Sequence, residues 1–129
     1  MSFDATGSIR AADAPRLRVL IVDDDELDRS AIRRCLVQSG VAVSVDEAKT
    51  AADVHALIRP GAFDCVILDY YMPGVDNVAL LQSILEIASD MPVIIMTGRG
   101  DEQIAVDFMK AGALDYLVKA SMTPERLGA

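Results

Sequence analysis

Short apolar runs alternate with longer segments of helical periodicity along most of the chain, and this alternation restricts the possible folds more than any other feature. Five runs have the length of β-strands: Leu17–Val22, Val41–Val45, Cys65–Leu68, Val93–Met96 and Leu114–Val118. Four are almost continuously apolar, which is typical of strands covered on both faces, whereas Val41–Val45 is milder and fits a position nearer the sheet edge. Strands that alternate with helices form parallel sheets, and the chain is too short for an eight-stranded barrel. We therefore predict an α/β fold with a doubly wound parallel sheet.

Helical spacing of apolar residues predicts four helices between these strands, at residues 27–36, 51–58, 80–88 and 104–109. Asp25 stands where it can cap the first of them. A fifth helix is predicted to begin at Thr123, which is followed by proline at the first helical position. Only about its first turn precedes Ala129, so we expect this helix to be truncated.

Composition and charge narrow the class of protein. The 129 residues are 52% hydrophobic and 25% charged, which fits one globular domain. The net charge of -8 disfavours binding to nucleic acid and suits a cation or a basic protein partner.

No apolar stretch approaches the roughly 18 residues that span a bilayer, and residues 1–16 lack the apolar centre of a secretory signal. Cys35 and Cys65 fit small buried residues in a reducing compartment. We expect a cytoplasmic protein with a flexible segment 1–16 ahead of a domain at 17–129.

Polar side chains collect where the predicted strands end. They are Asp23, Asp24 and Asp25 after the first strand, Asp69 after the third, Thr97 after the fourth and Lys119 after the fifth. In doubly wound sheets the functional crevice lies beyond the carboxyl ends of the strands. Two carboxylates at about 4 Å repel by about 4 kcal/mol at an effective dielectric constant near 20. Either protonation of one carboxylate or a hard divalent cation such as Mg²⁺ would relieve this repulsion.

Each of these features has an ordinary explanation when it is taken alone. An Asp pair after a strand is often a helix cap with an exposed neighbour, and Asp69 precedes a turn at Met72–Gly74. Thr97 could simply mark the end of a strand, and Lys119 could be a solvated charge. Their joint position at separate strand ends of one sheet makes a common site the better interpretation.

Four motifs in order carry a resemblance to a known family: Leu20–Asp25, Val66–Gly74, Ile95–Gly98 and Ala111–Lys119. From about Leu17 to Leu127, the chain closely resembles the receiver domains of response regulators in two-component signalling. The resemblance implies a flavodoxin-like sheet of five parallel strands in the order 2-1-3-4-5. It also implies a phosphoacceptor that catalyses its own phosphorylation and dephosphorylation and is not an enzyme acting on another substrate.

Matching positions imply a magnesium-bound phosphorylation site. Asp69 would attack phosphorus and become an acyl phosphate. Asp24 and Asp69 would bind Mg²⁺ directly, with the backbone carbonyl of Tyr71 as a third protein ligand. Asp23 would act mostly through a metal-bound water.

The remaining matching positions imply a switch and its partners. Thr97 and Lys119 would contact the phosphoryl oxygens, and Tyr116 would turn inward when Thr97 is drawn toward the phosphate. The phosphoryl donor would be a histidine kinase, a histidine phosphotransfer protein or a small phosphodonor. The ending of the chain resembles receivers that are joined to kinase or cyclase modules, so a C-terminal output module is a further hypothesis. A homodimer is also compatible with the family.

Several positions depart from the family pattern. Ala120 stands where a proline usually follows the lysine, which leaves the geometry of this peptide bond open. Asn77 stands where glycine is common, and asparagine either tolerates a left-handed backbone or caps the third helix. We expect Tyr71 and Arg99 to shield the phosphate or to order the attacking water.

Three other functions fit the sequence less well. A phosphorylation-independent interaction module would not require all of the acidic, hydroxyl and lysine positions that are present. A hydrolase of the haloacid-dehalogenase kind needs a second Asp two residues after the nucleophile, where Tyr71 stands. Flavin binding is poorly supported because no phosphate-cradling loop follows the first strand.

Overall fold

A computed structural model describes residues 16–98 and 101–119 of the chain. In that part, five parallel strands form one sheet in the order β2-β1-β3-β4-β5, and helices connect them. The elements are β1 (Leu17–Val22), α1 (Glu26–Gln38), β2 (Val43–Ala48), α2 (Ala51–Leu57), β3 (Cys65–Asp69), α3 (Asn77–Ile87), β4 (Val93–Thr97), α4 (Glu102–Lys110) and β5 (Asp115–Val118). This topology confirms the predicted doubly wound fold and its strand order.

Apolar side chains bury both faces of the sheet. On one face, α2, α3 and α4 pack against the sheet in a core that includes Leu20, Leu68 and Leu81, all fully buried. On the other face, α1 contributes Ile32 and Leu36 to a smaller cluster. The central strands therefore consist almost entirely of apolar residues because neither face meets water.

The second strand differs from its predicted bounds. It covers Val43–Ala48 rather than Val41–Val45, because its register with β1 runs from Leu17 opposite Val43 to Val22 opposite Ala48. Backbone pairing at an edge tolerates the polar residues Asp46 and Glu47, which apolar periodicity alone would exclude from a strand. The predicted position near the sheet edge is confirmed, since β2 is the outer neighbour of β1.

Side chains cap the first three helices. Asp25 accepts a hydrogen bond from the amide of Leu27 at 2.8 Å, as its position in the sequence predicted. Thr50 caps α2 in the same way. The prediction that Asn77 caps α3 or adopts a left-handed backbone is wrong: Asp76 is the cap, and no non-glycine residue among those described has a positive φ.

Some predictions fall outside the described residues. These are the flexible segment at 1–16, apart from its last residue, and the fifth helix, together with the role of Arg99 and the geometry of the Lys119–Ala120 bond. Among the helices at 16–98 and 101–119, none has the length and apolar character required to cross a bilayer.

Candidate functional site

Three carboxylates meet at the carboxyl ends of β1 and β3. Asp23 and Asp24 follow β1, and Asp69 is the last residue of β3. Because Val22 pairs with Leu68 in neighbouring strands, these ends are adjacent. One carboxylate oxygen of each residue lies within 4.8 Å of the others. Asp23 and Asp69 are buried, at 1% and 5% exposure, whereas Asp24 is exposed. We call these three residues the acidic cluster.

Lys119 reaches the acidic cluster from the end of β5. Its Nζ atom lies 3.2 Å from Asp23 Oδ2 and 3.3 Å from Asp69 Oδ1. It also donates a hydrogen bond to Asp28 Oδ2, on α1, at 2.7 Å. Sequence reasoning placed Lys119 at this edge of the sheet, but it did not identify Asp28 as a partner.

Burial and crowding shift the proton affinities of the acidic cluster. Loss of solvent and the nearby negative charge of Asp23 raise the pKa of Asp69 to about 6, although Lys119 acts to lower it. Burial also raises the pKa of Asp23, against the hydrogen bond that Asp23 accepts from the Asp25 amide and the charge of Lys119. For Lys119, burial acts to lower the pKa, but the contacts with Asp28, Asp69 and Asp23 together raise it above the usual lysine value. Lys119 is therefore positively charged at neutral pH.

The residues of the acidic cluster fit a divalent cation. Asp69 Oδ1 is buried, and no residue that the structure describes donates a hydrogen bond to it, although the ammonium of Lys119 lies nearby. A buried oxygen without a donor is costly unless a cation or water binds it. Three carboxylate oxygens are hard ligands of the kind that Mg²⁺ prefers. Among the residues at 16–98 and 101–119, Lys119 supplies the ammonium that contacts these carboxylates, and it does not balance three negative charges. A divalent cation would relieve the remaining repulsion.

The three other predicted site residues, Thr97, Tyr116 and Tyr71, differ in their exposure to solvent. Thr97 ends β4, is 1% exposed, and donates a long hydrogen bond of 3.4 Å to the carbonyl of Leu117. Tyr116 lies on β5 with 38% of its surface exposed, and Tyr71 is 59% exposed. The role of the Tyr71 carbonyl as a metal ligand stays a prediction.

Asn77 contacts the backbone of the predicted nucleophile, which sequence reasoning missed. Its Nδ2 donates a hydrogen bond of 2.6 Å to the carbonyl oxygen of Asp69, and the side chain is 4% exposed. This bond joins the end of β3 to the start of α3 and so closes the loop that contains Tyr71. The departure from the usual glycine at this position was the available signal in the sequence.

Arg29 supports the site from α1. Its Nη1 donates to the carbonyl of Asp23 at 2.9 Å, and its Nε donates to Glu47 at 3.0 Å. The guanidinium therefore links the end of β1 to β2. A cation six residues after Asp23 gave no recognisable signal in the sequence, because its helical position alone does not specify which backbone group it meets.

Comparisons with known proteins agree with this arrangement. The family model of the response regulator receiver domain matches residues 19–129. The chain is 39% identical over 103 residues to the C4-dicarboxylate transport transcriptional regulatory protein DctD of Pseudomonas aeruginosa, covering 79% of this chain and 22% of DctD. It is 38% identical over 103 residues to the transcriptional regulatory protein FixJ of Bradyrhizobium diazoefficiens, covering 78% of this chain and 48% of FixJ.

Solved structures agree as well. A response regulator receiver domain protein from Clostridium thermocellum superposes with a TM-score of 0.75 at 31% identity, covering 87% of this chain and 88% of that one. The chain spans less than half the length of DctD and FixJ, so those whole proteins contain segments beyond the matched region.

Proposed function

Because the chain belongs to the response regulator receiver family of two-component systems, we propose that it is a Mg²⁺-dependent phosphoacceptor whose Asp69 receives a phosphoryl group. The observation that carries the proposal is the buried Asp69 Oδ1, which accepts no hydrogen bond of regular geometry from the described residues and lies beside two further carboxylates and the ammonium of Lys119. A carboxylate held in this way is available to a metal and to an electrophilic phosphorus.

In the proposed reaction, a carboxylate oxygen of Asp69 forms a bond to phosphorus while the bond from phosphorus to the donor breaks. The donor atom keeps the bonding electron pair, and the product is an acyl phosphate on Asp69. Lys119, which stays protonated, is close enough to Asp69 to contact the phosphoryl oxygens. Asp23, Asp24 and Asp69 would hold Mg²⁺, which supplies positive charge to the phosphoryl oxygens and orients them.

The same site is proposed to operate a switch through Thr97 and Tyr116. The hydroxyl of Thr97 donates a long hydrogen bond to a carbonyl, and a charged phosphoryl oxygen is a stronger acceptor. Movement of Thr97 toward the phosphoryl group would vacate space near β5, and the partly exposed ring of Tyr116 would turn into that space. Hydrolysis of the acyl phosphate would return both side chains to their present positions.

Receiver domains interact with histidine kinases, and we propose that a cytoplasmic histidine kinase or histidine phosphotransfer protein is the donor for this chain. A longer natural protein would couple the phosphorylated domain to an output module, for which a kinase or a cyclase is the proposed class. A homodimer of receiver domains is a compatible assembly.

Intact-mass measurement tests the proposed function. The protein is incubated with acetyl phosphate and Mg²⁺, and we expect a gain of one phosphoryl mass that chelation of Mg²⁺ prevents. Asp69→Asn is the matched control and should gain nothing. Because rapid hydrolysis could hide the product, beryllofluoride binding is measured in parallel as a stable analogue. If the wild-type protein neither gains the mass nor binds beryllofluoride, a phosphorylation-independent interaction module becomes the better interpretation.

A further inference from the structure

Lys119 divides its contacts unequally among three carboxylates. It donates hydrogen bonds to Asp28 at 2.7 Å and to Asp23 at 3.2 Å. Its contact with Asp69 Oδ1, at 3.3 Å, lacks the geometry of a hydrogen bond. The shortest of the three contacts is therefore made to the residue that is outside the acidic cluster. Asp28 lies on α1, and its side chain is 41% exposed.

From this geometry we propose that Asp28 is a positioning residue, which holds the ammonium of Lys119 toward α1 in the resting site. This inference rests on the proposed phosphoacceptor function of Asp69. By accepting the shortest hydrogen bond, Asp28 keeps Lys119 from pairing fully with Asp69. The Asp69 oxygen then remains available to a divalent cation. When an anionic phosphoryl group arrives, Lys119 must leave Asp28 in order to contact it.

Removal of the Asp28 carboxylate should therefore have two effects of opposite sign. In Asp28→Asn, the ammonium moves onto Asp69 and Asp23 and competes with Mg²⁺ for their oxygens, so binding of Mg²⁺ weakens. The same ammonium no longer has to break its contact with Asp28, so an anion beside Asp69 binds more tightly. A general loss of structure would weaken both binding reactions. Loss of one negative charge alone would also weaken Mg²⁺ binding and strengthen anion binding, without involving Lys119, so a charge control is needed.

Glu26→Gln provides the matched control for charge. Glu26 and Asp28 both belong to the first turn of α1, so each substitution removes one negative charge near the same helix N-terminus. Glu26 is exposed and makes no ion pair with a residue in the described ranges, whereas Asp28 contacts Lys119. The difference between the two variants therefore isolates the contact with Lys119.

Tyrosine fluorescence reports binding, since the chain has three tyrosines and no tryptophan. Each protein is titrated with Mg²⁺ alone and then with beryllofluoride at saturating Mg²⁺. Relative to Glu26→Gln, we expect Asp28→Asn to bind Mg²⁺ about threefold more weakly and beryllofluoride about threefold more tightly, which is the size of effect typical of a partly exposed ion pair. Asp28→Ala should repeat both shifts, and Asp28→Glu should reverse them in part.

Two results would overturn the inference. One is an Asp28→Asn protein that matches Glu26→Gln in both titrations, and the other is weaker beryllofluoride binding in Asp28→Asn and Asp28→Ala. In either case, wild-type protein that still binds beryllofluoride leaves the proposed function standing. Wild-type protein that neither binds beryllofluoride nor gains a phosphoryl mass instead overturns the proposed function, and the role of Asp28 with it.

Discussion

Two groups of charged residues in this molecule shift the pKa values of their carboxylates in opposite directions. In the acidic cluster, burial raises the pKa of Asp69 to about 6, and the carboxylates of the described residues outnumber the one ammonium, that of Lys119, which contacts them there. At the edge of the sheet, Glu47 accepts hydrogen bonds from Arg33 and Arg29, which lower its pKa. The first group is unfavourable until a cation binds, whereas the Glu47 carboxylate of the second group is already paired with two guanidinium groups. An excess of buried negative charge, rather than the number of acidic residues, thus distinguishes the candidate site.

The largest effect on stability should come from removal of Lys119, whose ammonium contacts the acidic cluster. Lys119→Met leaves the buried Asp23 and Asp69 without an ammonium, so we expect the free energy of unfolding to fall by about 2–3 kcal/mol near neutral pH. Urea denaturation measures this loss, and added Mg²⁺ should restore part of it. Lys110→Met is the control, since Lys110 is exposed at the end of α4 and should change stability by less than about 0.5 kcal/mol. Equal losses of stability in Lys119→Met and Lys110→Met would contradict the idea that Lys119 offsets the buried negative charge of the acidic cluster.

Asp69→Asn should change the free energy of unfolding in the opposite direction and stabilise the protein. Folding raises the pKa of Asp69 from its ordinary value of 3.8 to about 6. At pH values between these two pKa values, the folded state therefore binds more protons than the unfolded state. Stability is therefore lost as the pH rises through this window to about 6, and the neutral variant avoids that loss. We expect Asp69→Asn to gain about 1–2 kcal/mol above this window and little below pH 4, by urea denaturation without Mg²⁺.

The exposed Asp46 on β2 supplies the comparison for that variant. Asp46→Asn changes the net charge equally but relieves no buried repulsion, so its stability should stay within about 0.5 kcal/mol of the wild type. A stabilisation of Asp69→Asn that does not depend on pH would argue against crowding of charge as its cause.

Asn77→Ala tests how firmly the loop after β3 is held. Loss of the buried hydrogen bond to the Asp69 carbonyl should lower the free energy of unfolding by about 1 kcal/mol. Because that bond closes the loop between β3 and α3, the backbone amides of residues 70–72 and 74–76 should exchange faster with deuterium. Binding of Mg²⁺ should also weaken if the Tyr71 carbonyl is a ligand. Unchanged exchange in this loop would show that the turn at residues 72–75 suffices to hold it.

The smallest effect on stability is expected at Glu47, whose carboxylate is already paired. Glu47→Gln should lower stability by about 0.5 kcal/mol, because partly exposed ion pairs contribute little. Since the pKa of Glu47 is lowered by folding, its contribution is present above its ordinary pKa of 4.5 and is lost as the pH falls through the folded value. Denaturation at neutral pH and at about pH 3 measures the difference. A stabilising effect of Glu47→Gln at neutral pH would remove the contrast with Asp69.

Much of the fold could be predicted because local patterns and pairing agree. Apolar runs gave β1, β3 and β4 within one residue of their ends, since strands buried on both faces must be apolar throughout. The bounds of β2 were wrong because an edge strand accepts polar residues, so pairing with β1 and not hydropathy sets its length. The convergence of Asp23, Asp69 and Lys119 followed from the shared direction of parallel strands.

The sequence by itself determined the order of strands and helices, the family and the set of charged residues that meet at one edge of the sheet. Only the tertiary structure decided which partners they have: Asp28 is 91 positions from Lys119, and Asn77 contacts a backbone carbonyl and not a side chain. It also decided that Asp23 is buried while Asp24 is exposed. Periodicity specifies which face of an element is apolar, whereas these contacts depend on side-chain rotamers and on how α1 and α3 pack against the sheet.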